Sequence, residues 1–271
     1  MQVSFSAQTV LMQMTRSFPN RRVGPGTEPG TLWLAAMAAV LLASPGLAGT
    51  FTPPQGCTPT MTVQMKGCTV SNHYTCEADT AGDKWRADFG QNGLYFKSRI
   101  DFETQWMETF QIDEEPDIRT TIELPATDPA NFSELVATGN DTFSFSTITD
   151  TGVRENVTGF DHLTGRSVVI DGVTLLQTEY DAKATYDDGT VAWHSRGNEF
   201  IHPEWRLFLS GQGEWSGGDG EDFLPFNSTP MTFSFPGDPG FMATIPLFDC
   251  DVLMSSLPTP PSQPEEPSDD L

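Results

Sequence analysis

The sequence predicts a mainly β protein, built as a single antiparallel β-meander domain with one short helix. Two observations indicate this fold. Short runs in which apolar and polar residues alternate recur along the chain, and Gly, Asn and Asp turn signals separate them. Aromatic residues make up 11% of the chain and supply enough apolar surface for a sizeable core. The pattern leaves three arrangements open, namely a curved sheet, a half-barrel or a sandwich.

The clearest strands lie beside two Asp-Gly pairs, at 171–172 and 188–189, because Asp-Gly is a strong hairpin signal. Between the pairs, the residues alternate with the two-residue period of a half-buried strand. One predicted face of this strand carries Leu176, Thr178, Tyr180, Ala182, Ala184 and Tyr186. The next strand continues the pattern, with Trp193 and Ser195 opposite His194 and Arg196.

The one predicted helix lies near 128–139. Asp128 is suited to cap its first turn, Pro129 to occupy the first helical position, and Gly139 to end it. Phe132 and Leu135 form an apolar stripe that would pack against the sheet.

Residues 1–48 are predicted to be a signal peptide. The apolar run at 32–43 is shorter than the roughly twenty residues that a membrane-spanning helix needs. Arginines precede it, and the small residues Gly46 and Ala48 follow it, so cleavage is expected after Ala48. A retained anchor is the alternative. The mature chain is therefore expected to be periplasmic or secreted and to have no transmembrane span.

The predicted domain at 49–256 is followed by a tail at 257–271, which is rich in proline and acidic residues and is expected to be disordered. The whole chain carries 37 acidic and 14 basic residues, a formal net charge of −23. Such a surface repels phosphate backbones, which argues against nucleic-acid binding. The acidic residues are dispersed, as is typical of a solvated surface.

The four cysteines, Cys57, Cys68, Cys76 and Cys250, are expected to form two disulfides because their spacing does not match zinc-binding patterns. Three pairings are open. A hairpin formed by 61–70 and 74–79, centred near Asn72, would place Cys68 opposite Cys76 at bridging distance. Cys57 would then pair with Cys250 and join the start of the domain to its end.

The densest group of chemically active side chains lies at 193–205. His194, Glu199 and His202 could ligate a metal, or Glu199 and Glu204 could divide the acid and base roles of a hydrolase. A strand keeps such residues far apart unless the chain turns at Gly197. The favoured interpretation is a strand end with solvated polar groups.

A second candidate is the acidic segment at 217–222, because hard cations such as calcium take several carboxylate oxygens. Asp219, Glu221 and Asp222 would be its ligands. The segment lacks the spacing of a calcium-binding loop, so a flexible acidic hairpin tip is the favoured interpretation. No cofactor is expected.

The stretch at 159–211 combines strand rhythm, the two Asp-Gly turns and the turn Pro203-Glu204-Trp205. It resembles a pattern in periplasmic LolA/LolB-like proteins and related uncharacterised secreted families. The resemblance covers about a fifth of the chain and includes no diagnostic binding residue. It implies an open antiparallel sheet that curls as a half-barrel around an apolar cavity.

Two functions remain open from the sequence. The favoured one is a non-catalytic binding or envelope-associated module for an apolar small ligand or an envelope protein, because the chain has no catalytic signature. The alternative is a secreted hydrolase that uses the carboxylates and histidines at 194–204.

Overall fold

The structure is a computed structural model that describes residues 49–218 and 220–250. The predicted signal peptide at 1–48, the predicted tail at 257–271 and the last residues of the predicted domain lie outside the described residues. No helix within 49–218 and 220–250 has the length and apolar character needed to cross a membrane.

Thirteen strands form one antiparallel sheet, and a single short helix accompanies them in the part of the chain that the structure describes. This confirms the predicted mainly β fold. The elements are β1 (Cys57–Met65), β2 (Thr69–Cys76), β3 (Lys84–Gly90), β4 (Gly93–Ile100), β5 (Trp106–Gln111), β6 (Ile118–Asp128), α1 (Phe132–Thr138), β7 (Asn140–Thr149), β8 (Arg154–Ile170), β9 (Val173–Thr185), β10 (Val191–His202), β11 (Leu207–Ser216), β12 (Leu224–Asn227) and β13 (Pro230–Ser234).

The strands lie side by side in chain order from β1 to β12, and β13 pairs with the free side of β1. The two edges of the sheet are therefore β12 and β13, which only Ser228 and Thr229 separate in the chain. The Ser228 amide donates to Gly211 O in β11, and Thr229 O accepts from the Lys66 amide beyond β1. The sheet thus curves round until its edges approach, although it is not closed.

Contacts across the interior confirm this curvature. Trp106 on β5 and Trp193 on β10 are five strands apart in the sheet, yet their ring centroids are 6.4 Å apart. We call the face that carries these two residues the inner face. Ladder register places Val63, Phe145 and Val157 on it, and all three belong to the main buried apolar cluster.

Helix α1 closes one end of this interior. Its buried Phe132 and Leu135 pack with Ile201 at the end of β10 and Phe208 at the start of β11. The predicted helix is confirmed and ends at Gly139, but it begins at Phe132, so Pro129 does not occupy its first position and Asp128 does not cap it. Asn131 does, because its side chain accepts from the Glu134 amide, whereas Asp128 still belongs to β6.

The tight turns that the sequence predicts are present. Asp171 and Gly172 connect β8 to β9 with positive φ angles, and Gly189 lies in the turn between β9 and β10. The predicted alternation of β9 is confirmed from Thr178 to Ala184, where every second residue is buried, but Tyr186, predicted on the same face, lies beyond the strand and is exposed. Strand β8 runs unbroken from Arg154 to Ile170, and its register against β9 shifts between Leu163 and Ser167.

The predicted disulfide pairing is wrong. The bridges are Cys57–Cys76 and Cys68–Cys250. The first hairpin turns at 66–68, not near Asn72, because Gly67 and Cys68 both adopt positive φ angles. That turn places Cys57 opposite Cys76 in the β1–β2 ladder and moves Cys68 out of it.

The Cys68–Cys250 bridge holds the segment that follows β13 against the outer face of β1 and β2. Polar side chains of these strands bind its backbone. The Met242 amide donates to Thr62 Oγ1 at 2.7 Å, and the Leu247 amide donates to Gln64 Oε1 at 3.0 Å. The Asn72 side chain donates to Ala243 O at 2.9 Å. Since Thr62, Gln64 and Asn72 are buried, this segment supplies the hydrogen bonds that their burial requires.

Replacing Gly159 by alanine is expected to lower the free energy of unfolding by about 1–3 kcal/mol, as overpacking typically does. A Cβ atom at this inner-face position would lie 2.3 Å from both Phe143 Cζ and the backbone oxygen of Asp181. Urea unfolding would measure the loss. Thr158→Ala, at the exposed neighbouring position, is the control and should change stability little. Equal effects of the two variants would contradict the prediction.

Candidate functional site

A cavity of about 210 Å³ opens at the end of the interior opposite α1. It lies where β5 and β7 end and where β6, β8 and β10 begin. Trp106, Trp193, Val157 and Ile122 give it apolar walls. Six threonines contribute to the rest of the lining, namely Thr109, Thr120, Thr121, Thr147, Thr149 and Thr151. The lining is therefore amphipathic rather than purely apolar.

Glu155 places a carboxyl group in the wall of this cavity. Its Oε2 accepts a hydrogen bond of 3.0 Å from Trp193 Nε1, which fixes the indole. Burial raises the pKa of Glu155, and the hydrogen bond from Trp193 lowers it in part. Among the described residues Glu155 has no ion-pair partner, so this half-buried carboxyl group lacks a compensating positive charge.

The other carboxylate that lines the cavity, Glu108, is neutralised by two guanidinium groups. Arg99 Nε lies 2.9 Å from its Oε1, and a terminal nitrogen of Arg119 lies 2.6 Å from its Oε2. Nearby Arg154 is likewise engaged, with Glu123 and with Asp187. The arginines around the cavity are thus paired with acids other than Glu155.

A buried polar cluster occupies the inner face between the cavity and α1. It contains Asp161 on β8, Tyr180 and Thr178 on β9, and Ser195 and Glu199 on β10. Ladder register places these side chains on one face. The Tyr180 and Ser195 hydroxyls are 2.9 Å apart and hydrogen-bond each other.

The two carboxyl groups of this cluster, Asp161 and Glu199, are each 1% exposed. None of their four side-chain oxygens has a hydrogen-bond partner among the described residues. Burial and, to a smaller extent, the nearby Asp141 raise the pKa of Asp161 to about 7. Burial also raises the pKa of Glu199 well above its usual range, an effect that Asp161 strengthens and Arg86 opposes. Both groups therefore retain protons at pH values where exposed carboxyl groups are ionised.

Strands β2 and β3 contribute further polar groups to the inner face. Arg86 Nε lies 3.1 Å from Asp88 Oδ2, and the Ser71 hydroxyl donates to Asp88 Oδ1 at 2.5 Å. His73 is buried, and neither of its ring nitrogens has a partner among the described residues. Burial lowers the pKa of His73 to about 3, helped by Arg86 and Lys84, so its ring is neutral near pH 7.

The four candidate catalytic residues, His194, Glu199, His202 and Glu204, do not share one site. Glu199 lies on the inner face, whereas alternation along β10 places His194 on the outer face, where its Nε2 is 2.8 Å from Asp181 Oδ1. His202 stacks on Trp205 with ring centroids 4.0 Å apart, and Glu204 is exposed in the turn between β10 and β11. Only Glu199 belongs to the buried polar cluster.

The predicted cation-binding segment also gains no support as a site. Asp219 lies outside the described residues, and Glu221 and Asp222 are exposed. The Ser216 hydroxyl donates to the backbone oxygen of Glu221, which leaves its carboxyl group out of the contact. Within 49–218 and 220–250, no group of three or more His, Cys, Asp or Glu side chains is placed to hold a metal ion.

The cavity residues Trp106, Val157 and Glu155 were not singled out by sequence reasoning. Alternation assigns each of them to a face of its own strand, but it does not indicate that β5, β8 and β10 meet across an interior. A charged residue in phase with apolar neighbours, as Glu155 is with Val157, is the signal that could have identified the site.

Comparison of the chain with protein-family models, with curated proteins and with solved structures gives no match. Its function is therefore inferred from the cavity and the buried polar cluster alone.

Proposed function

We propose that the chain is a non-catalytic, exported binding protein that holds a small ligand in the cavity between β5, β6, β7, β8 and β10. The cavity itself carries this proposal. It combines two buried indoles, Trp106 and Trp193, with threonine side chains and the carboxyl group of Glu155, and small-molecule sites typically join apolar walls to a few placed polar groups.

Export is supported by the two disulfides, which persist mainly in oxidising compartments, and by the apolar run and small residues before position 49. The LolA/LolB-like pattern at 159–211 implies a ligand-holding curved sheet and stays a prediction. The hydrolase alternative has less support, because His194, His202 and Glu204 do not join Glu199 in one cleft.

Binding in the cavity is expected to be detectable by NMR with three probes that share an aromatic ring and differ in charge: 2-phenylethanol, 2-phenylethylamine and phenylacetate. At millimolar concentration, at least one should shift the indole N–H resonances of Trp106 and Trp193. Thr120→Phe should abolish the shift, because the added ring occupies the cavity that Thr120 lines.

Thr158→Phe is the matched control, since it adds the same ring to an exposed position on the opposite face of β8. This variant should bind like the unmodified protein. Absence of any shift with all three probes, or the same shifts in Thr120→Phe, would overturn the proposed function.

A further inference from the structure

The charge of the cavity is unbalanced. Glu155 and Glu108 are the ionisable residues that line it, and no lysine, arginine or histidine does. Glu108 is paired with Arg99 and Arg119, whereas Glu155 accepts one hydrogen bond from the neutral indole of Trp193. A carboxylate taken partly out of water without a cation is costly, and a positively charged ligand group would compensate it.

The aromatic walls favour the same kind of ligand. Trp106 and Trp193 both line the cavity, and their rings are inclined by 35° at a centroid separation of 6.4 Å. Tryptophan has the most favourable ring face for a cation, and the attraction rises when the site is desolvated. Because Glu155 accepts the hydrogen bond of the Trp193 indole nitrogen, the carboxyl group and this ring keep a fixed relative position.

The threonine hydroxyls add acceptors that an ammonium group can use. Thr109, Thr120 and Thr149 lie in register with one another on the inner face of β5, β6 and β7, and Thr147 lies on the same face opposite Ile122. The size of the cavity limits the ligand. A volume of about 210 Å³ suits a small molecule rather than a peptide or a lipid chain.

We propose that the cavity selects a small ligand with a positively charged amine beside an apolar body, with Glu155 as the counter-charge and Trp106 and Trp193 as the aromatic walls. This inference rests on the proposed function and names its ligand class. The burial that raises the pKa of Glu155 is consistent with it, since a bound cation would restore the ionised carboxylate.

The test compares affinities for 2-phenylethylamine, which is cationic at pH 7.5, with those for 2-phenylethanol and phenylacetate. Titrations would follow the Trp106 and Trp193 indole N–H resonances at physiological salt. The amine is expected to bind at least tenfold more tightly than the alcohol, and phenylacetate more weakly than either. Glu155→Gln should bring the ratio of amine affinity to alcohol affinity close to one.

The net charge of −23 attracts cations everywhere on the protein, so a control must remove one charge elsewhere. Glu179→Gln does so at an exposed position of β9 and should retain the preference for the amine. Equal affinities for amine and alcohol, or a preference that survives in Glu155→Gln, would overturn this inference and leave the binding function intact. Failure of all three probes would overturn both.

Discussion

Replacing Cys68 and Cys250 together by serine is expected to lower the free energy of unfolding by about 5 kcal/mol, according to the chain-entropy description of disulfides. The two residues are 182 positions apart, so the bridge restricts nearly the whole unfolded domain. Removing Cys57 and Cys76, which are 19 positions apart, should cost only about 3 kcal/mol. Denaturant unfolding of the two double variants would measure the difference.

The Cys68–Cys250 variant should also have a local effect. Without the bridge, the segment that binds Thr62, Gln64 and Asn72 is held only by hydrogen bonds and packing. Hydrogen exchange at the Met242 and Leu247 amides should therefore accelerate, whereas removal of Cys57–Cys76 should leave it nearly unchanged. A larger loss of stability from Cys57–Cys76, or equal exchange in the two variants, would contradict this expectation.

Glu199→Gln is expected to stabilise the protein at pH 7.5 and to change its stability little at pH 4.5. Burial raises the pKa of Glu199, so the folded state keeps a proton that the unfolded chain releases as the pH rises. The stability that protonated Glu199 contributes is fully present below the ordinary carboxyl pKa, and it is lost as the pH rises towards the pKa of Glu199 in the folded protein. Glutamine resembles the protonated acid and therefore removes this loss.

Asp161→Asn should likewise stabilise the protein at pH 7.5. The stability that protonated Asp161 contributes is lost between about pH 4, the ordinary carboxyl pKa, and about pH 7, its pKa in the folded protein. Thermal unfolding of each variant against the unmodified protein at the two pH values isolates the effect. Each variant is compared with the unmodified protein because His73 adds a pH dependence of its own. Burial lowers the pKa of His73 to about 3, so this residue destabilises the folded state as the pH falls.

Glu204→Gln is the control for these variants, since Glu204 is exposed in a turn and should show no comparable pH dependence. A Glu199→Gln variant that loses stability at pH 7.5 would contradict the prediction. It would show that the carboxylate is ionised and compensated in the folded state.

The β architecture could be predicted because alternation and Asp-Gly turns are local signals. The inner face of β9 was predicted correctly on the alternation of Thr178, Tyr180 and Ala182 alone. The turn of the first hairpin could not be predicted in this way, because Lys66 and Gly67 do not match a two-residue turn signal. Its predicted position near Asn72 is wrong. One misplaced turn was sufficient to reverse the pairing of Cys57 and Cys68.

The cavity could not be predicted for a different reason. It depends on which distant strands face each other once the sheet has curved, and that arrangement is set by the twist and length of all thirteen strands together. The same limit applies to the interior acids. Acidic residues such as Asp161 and Glu199 usually face solvent. Only the pairing of β8 with β9 and of β9 with β10 shows that these two share a buried face.

The pairing of β1 with β13 has a consequence for the order of folding. Every other ladder joins strands that follow each other in the chain, so those hairpins can form as they emerge during synthesis or translocation. The free edge of β1, in contrast, is covered only after β13, which lies near the end of the described residues, has been synthesised. We therefore expect a nascent chain that lacks β13 to expose an unpaired strand, a form open to aggregation until the C-terminal part arrives.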